Sequence, residues 1–147
     1  MKKAQTIVTG VSPAENKELS KQTLYAAQPA AGFPAPGDDL VERPLDLNDL
    51  LIENPTSTFF TRVSGDSMEG AGIFDGDYLV VDRSVPAAKG KIVVAAVFGE
   101  LVVKRLSQHQ SKMALVSENE AYEPIIINDQ EDVFIWGVVV GSARVFK

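Results

Sequence analysis

The sequence predicts a mainly β fold: a compact barrel or sandwich with one short helix and a flexible N-terminal arm. Three observations predict it. From residue 58 onward, short runs rich in Val, Ile, Phe and Tyr follow one another at close spacing. Turn formers such as Phe74-Asp75-Gly76-Asp77 and Phe98-Gly99-Glu100 separate them, without the helical stretches that alternating βαβ units would need. The first 31 residues, by contrast, are polar and poor in large apolar side chains.

In that first segment, Ser12-Pro13-Ala14-Glu15 has the form of a capping box with proline at the first helical position. A helix over residues 13–25 would have only a thin apolar face, and isolated helices of that length are marginal in water. Residues 1–31 therefore read as an arm with at most transient structure. Gly32-Phe33-Pro34-Ala35-Pro36-Gly37 follows, and its prolines lack the amide donor that a helix or a central strand requires. Asp46-Leu47-Asn48-Asp49-Leu50-Leu51-Ile52-Glu53-Asn54-Pro55 reads as a short helix opened by an Asp cap and stopped by Pro55. Strands are expected over residues 58–63, 78–82, 91–98, 101–106, 113–117, 125–127 and 132–146. The domain of residues 32–147 is thus β-rich.

The chain has 147 residues, enough to bury a substantial core. No apolar run approaches the ~20 residues of a membrane helix, and the N-terminus lacks the apolar stretch of a secretory signal. Cysteine is absent, which excludes disulfides and thiolate metal sites and suits a reducing cytoplasm. The single histidine, His109, lies in the polar stretch 107–112, which reads as a solvated hairpin loop, so neither a zinc cluster nor a Ser-His-Asp triad is expected. Nothing calls for a cofactor. Net charge is −6. Lys2, Lys3, Lys17 and Lys21 against Glu15 and Glu18 give the arm a charge of +2, which leaves −8 for the rest. So acidic a body is unsuited to direct DNA binding, because neutralising phosphates takes a cationic surface.

Three places could carry chemistry. Ser64-Gly65-Asp66-Ser67-Met68 follows a strand-like run, and Gly65 lets the chain turn and present Ser67 at an exposed corner. Backbone amides at such a turn could face an oxyanion, although the composition alone is that of an ordinary turn. In Leu101-Val102-Val103-Lys104-Arg105-Leu106, strand alternation puts Lys104 on one face with Val102 and Leu106. A cation there either snorkels at a sheet edge or is kept neutral by desolvation. Working as a base near pH 7 would need a fall of about three units, roughly 4 kcal/mol. Serine–lysine pairs replace histidine-based triads elsewhere. Thirdly, in Ala30-Ala31-Gly32 small residues flank a peptide bond while Pro29 and Pro34 keep its surroundings extended, as a shallow protease pocket or a plain linker would both have it.

Taken together, these motifs resemble the self-cleaving serine peptidases related to LexA repressors, and more specifically their UmuD-like branch. Gly32-Phe33-Pro34-Ala35-Pro36 is similar to the segment after the cut, and residues 46–52 to the helix behind it. Ser64-Gly65-Asp66-Ser67-Met68 resembles the nucleophile motif, Gly72-Ile73-Phe74-Asp75-Gly76-Asp77 the turn after it, and Val102-Val103-Lys104-Arg105-Leu106 the strand carrying the base, 37 residues beyond the serine. Asn119-Glu120-Ala121-Tyr122-Glu123-Pro124-Ile125 looks like a further family signature.

The resemblance implies Ser67 as nucleophile, Lys104 as base, the Asp66 and Ser67 amides as oxyanion donors, and the Ala31-Gly32 bond as the one cut, where some relatives carry Cys-Gly. It implies stimulation by a RecA filament on single-stranded DNA in the SOS response. The trimmed chain would then act as a homodimer joined to a UmuC-like Y-family translesion polymerase. Gln22-Thr23-Leu24-Tyr25 bears a loose likeness to a sliding-clamp-binding peptide, which makes the clamp a candidate partner on that likeness alone. About 31 residues before the cut are too few for the winged helix-turn-helix of a repressor, which argues against operator binding. The alternatives are a non-cleaving dimeric adaptor and a LexA-like regulator without its DNA-binding domain. A signal-peptidase-like enzyme, which uses similar dyad chemistry, is disfavoured by the lack of a membrane segment.

Overall fold

The computed structural model describes residues 4–14, 36–127 and 132–146. Among the described residues, eight strands form one sheet: β1 (Ile7–Pro13), β2 (Thr58–Ser64), β3 (Tyr78–Asp82), β4 (Ile92–Val97), β5 (Glu100–His109), β6 (Lys112–Val116), β7 (Ile125–Ile126) and β8 (Val133–Ala143). Their order is β1-β2-β3-β8-β4-β5-β6-β7, and β1 also meets β5 at Ile7↔Val102. That contact closes a six-stranded barrel, with β6 and β7 extending the sheet beyond β5. The expected β class holds, with the barrel form chosen over the sandwich.

Closure needs a strand that bends, and β8 supplies it. Its register slips where Val80 and Val81 face Gly141 and Val139, and again where Val94 and Ala95 face Gly137 and Ile135. Val140 and Trp136 are therefore the extra residues of two bulges, which sharpen the twist and let one strand pair with β3 at one end and β4 at the other. At Gly137 a Cβ would lie 2.6 Å from Val81 Cγ1, so only glycine permits this approach.

Side-chain alternation sorts the apolar residues into two clusters. Val63, Met68, Ile73, Leu79, Val81, Val94 and Val103 form one. Val93, Ala95, Val102, Leu106, Leu115, Val133 and Val138 form the other, on the opposite face of β4 and β5. The helix α1 spans Leu47–Leu51, shorter than the sequence suggests, and Asp46 caps it by accepting from the Asn48 amide at 2.9 Å. Among the described residues, no helix is long and apolar enough to cross a membrane.

Two local expectations are corrected. Ile7–Pro13, expected to lie in an arm with at most transient structure, pairs with β2 from Ile7↔Ser64 to Pro13↔Phe59. Pro13 ends this strand instead of opening a helix, and the Ala14 amide continues the pairing by donating to the Thr58 carbonyl at 3.0 Å. The β-branched run Thr6-Ile7-Val8-Thr9 finds a sheet edge to extend, which outweighs the capping-box pattern. The rest of the expected helix, together with Ala31 and Gly32, lies outside the described residues. The second correction concerns the length of the hairpin loop expected over residues 107–112. There β5 runs to His109 and β6 starts at Lys112, so only Gln110 and Ser111 turn. Both have positive φ (49° and 69°), as a two-residue hairpin of matching twist demands.

Candidate active site

β2 ends at Ser64, and Gly65 takes φ 109°, a conformation open to glycine and strained for other residues. Its amide donates to Asp75 Oδ1 at 3.0 Å, tying this turn to the next. After the turn, Met68 plugs into the first apolar cluster and fixes the backbone on the C-terminal side of Ser67. Ser67 thus sits at a rigid corner, as the motif predicts, but the corner is covered. Its exposure is 0%, because residues 4–6 lie over it and the Thr6 amide donates to Ser67 Oγ at 2.8 Å. The exposed presentation expected from the sequence is corrected accordingly.

Lys104 lies in β5 opposite Val93. It shares its face with Val102 and Leu106, as alternation predicts, and is 1% exposed. Burial pulls its pKa from the ordinary lysine value down to about 8. Nζ donates to Ser117 Oγ at 2.5 Å and lies 5.5 Å from the centre of the Tyr122 ring. A ring face favours the ammonium form, so desolvation prevails over that attraction.

The segment 117–122 joins the two halves of the site. Tyr122 donates its hydroxyl to Asp66 Oδ1 at 2.7 Å, and Asn119 Nδ2 donates to the Asp66 carbonyl at 3.2 Å. Gly70 donates its amide to the Glu118 carbonyl at 2.9 Å, where an added Cβ would come within 2.6 Å of that oxygen. Partial burial and the bond to Asp66 push the Tyr122 phenol up to about 12, so it remains a donor across the working pH range. One loop therefore touches the serine turn through Asp66 and the lysine through Ser117 and Tyr122. Among the described residues no hydrogen bond links Ser67 Oγ directly to Lys104 Nζ.

A buried lysine of lowered pKa and a serine on a glycine turn, gathered by one loop, is an arrangement suited to acyl transfer without histidine. The family model described as Peptidase S24-like matches residues 23–140. The chain belongs to the S24-like peptidase family. Its relatives include the protein MucA of Salmonella typhimurium, 43% identical over 120 residues that cover 81% of this chain and 82% of MucA. The protein SamA of Salmonella typhimurium strain LT2 is 40% identical over 129 residues, covering 88% and 89% of the two chains. The LexA repressor of Bordetella petrii is 38% identical over 116 residues, covering 78% of this chain and 51% of the repressor. The resemblance to LexA-related and UmuD-like proteins is thereby borne out.

Within this S24-like site, sequence reasoning missed Ser117 and Thr6, and it left Asn119 and Tyr122 without a role. A signal for Ser117 existed in the hairpin: a turn centred on Gln110 and Ser111 sets Arg105 opposite Val116, so the next position sets Lys104 opposite Ser117.

Proposed function

We propose that this S24-like chain is a self-cleaving serine peptidase of SOS mutagenesis that cuts its own Ala31-Gly32 bond. Neutral Lys104 takes the Ser67 hydroxyl proton as Oγ adds to the Ala31 carbonyl carbon. The amides of Asp66 and Ser67 donate to the resulting oxyanion. Collapse of the intermediate breaks the C–N bond, Lys104 gives its proton to the leaving Gly32 nitrogen, and Ala31 remains as an ester on Ser67. Water, deprotonated by the same lysine, then hydrolyses the ester and restores both residues. Tethering supplies the substrate at high effective concentration, so little affinity for foreign peptides is needed.

The observation that carries this reading is Lys104: fully buried, with a pKa of about 8, so that about one-tenth is neutral at pH 7 instead of well under a thousandth. The likeness to MucA and SamA supports the SOS mutagenesis setting. In that setting a RecA filament on single-stranded DNA stimulates the cut in the cytoplasm. The 32–147 body then serves as a homodimer alongside a Y-family translesion polymerase. Val140, Val145 and Phe146, exposed on β8 and the tail after it, offer apolar surface for the dimer. Incubation with activated RecA filament should convert the chain into two bands on a gel. An intact chain after that incubation, or equal cutting of Ser67→Ala, refutes the peptidase reading; an intact chain that binds the polymerase identifies the adaptor instead.

A further inference from the structure

Residues 4–6 do more than cover the site, because they occupy its chemical groups. Ser67 Oγ accepts from the Thr6 amide. The Asp66 amide, one of the two oxyanion donors in the proposed reaction, donates instead to the Ala4 carbonyl at 2.7 Å, and Asp66 Oδ1 accepts from the Ala4 amide at 3.1 Å. On the other side, the Val103 amide, next to Lys104, donates to the Thr6 carbonyl at 3.0 Å. A Cβ on Gly65 would fall 2.2 Å from the Gln5 carbonyl oxygen, so the glycine of the serine turn is also what lets this segment approach. Thr6 is wholly buried, and its Oγ1 has no hydrogen-bond partner among the described residues.

We infer that the groove between the Ser67 turn and β5 is a binding site for an extended peptide, and that residues 4–13 of the chain are its resident ligand, held as an uncleavable substrate mimic. The groove reads backbone: antiparallel pairing along β2, the two-way bond of Ala4 with Asp66, and the contact with Val103. Its side-chain demand is for a small residue where Thr6 is buried, a demand that Ala30, Ala31 and Gly32 also meet. The mimic survives because Ser67 Oγ meets an N–H and not a carbonyl carbon, while the Ala4 carbonyl takes the Asp66 amide. One groove cannot hold both segments, so residues 4–6 leave before the Ala31 carbonyl reaches Ser67. The cutting rate then scales with the fraction of molecules in which they have left. This inference rests on the peptidase reading for its consequence, though not for its geometry.

Two variants of the full chain test it. Thr6→Pro removes the N–H that binds Ser67 Oγ, and Ala4→Pro removes the one that binds Asp66 Oδ1. Without RecA and at one alkaline pH, both should self-cleave about tenfold faster than the parent or more. Rates at or below the parent's in variants with the parent's circular dichroism would overturn the inference while leaving the peptidase reading intact. Hydrogen exchange of the parent gives a readout independent of cutting. A Thr6 amide slowed at least a hundredfold relative to a free peptide supports the occupied groove, and exchange at the free-peptide rate refutes it. If the parent never cuts under any condition yet its Thr6 amide is protected, the peptidase reading fails and the peptide groove stands.

Discussion

Lys104 Nζ donates to Ser117 Oγ across the β5–β6 hairpin, both groups buried. The bond orients an amine that would otherwise swing on four methylenes, and it favours the charged form, which is the stronger donor.

Ser117→Ala should therefore move the pH midpoint of self-cleavage downward, by about half a unit or more, because the neutral amine loses less than the ammonium does. The plateau rate at high pH should fall severalfold as orientation is lost, and Ser117→Thr should restore both. Rates of fragment formation between pH 6 and 10 measure this. A lower rate with an unmoved midpoint and no rescue by threonine would mean that Ser117 acts only through packing.

The same burial makes the lysine costly to the fold. Its folded pKa of about 8 lies below the ordinary value of 10.5, so the penalty is fully present below pH 8 and is relieved as pH rises to 10.5. Lys104→Met keeps the stem and removes the charge. It should stabilise the protein by about 2–3 kcal/mol at pH 7 and by little above pH 10.5, in urea titrations at the two pH values. Destabilisation at both would contradict the desolvation account.

Asp82 shows the opposite sign. Burial alone would raise its pKa, but hydrogen bonds from Asn54 Nδ2, Ser84 Oγ, Ser57 Oγ and the Ser84 amide outweigh it and hold the carboxyl at about 2. Its stabilisation is present above pH 3.8 and is lost as pH falls towards 2. Asp82→Ala should cost about 2–3 kcal/mol at neutral pH, since several donors lose their acceptor. The gap to the parent should close in acid, and a constant gap from pH 7 to pH 2 would refute the assignment.

Much of this architecture was legible along the chain. The strand of residues 78–82 and the Asp46 cap stand where predicted, because a short apolar run between turn formers and capping chemistry are local signals. The face of Lys104 was legible for the same reason. β1 was missed because its burial is slight, Gly10 and Pro13 disguise it, and its pairing partner is some fifty residues away. The hairpin was read where it stands, but its two-residue turn was read as a longer loop, because Gln110 and Ser111 adopt positive φ without the glycine or asparagine that usually announces it, and that error hid Ser117. The occlusion of Ser67 depends on where residues 4–6 come to rest, which no local pattern near residue 67 encodes.

Whether Ser67 and Lys104 cut the Ala31-Gly32 bond is read by incubating the purified full chain at a series of pH values and weighing the products by mass spectrometry. A fragment beginning at Gly32 should appear, formed about tenfold faster per pH unit below pH 8 and levelling above it, and absent in both Ser67→Ala and Lys104→Ala. Cutting at another bond, a rate indifferent to pH, or undiminished cutting in either variant would contradict this assignment.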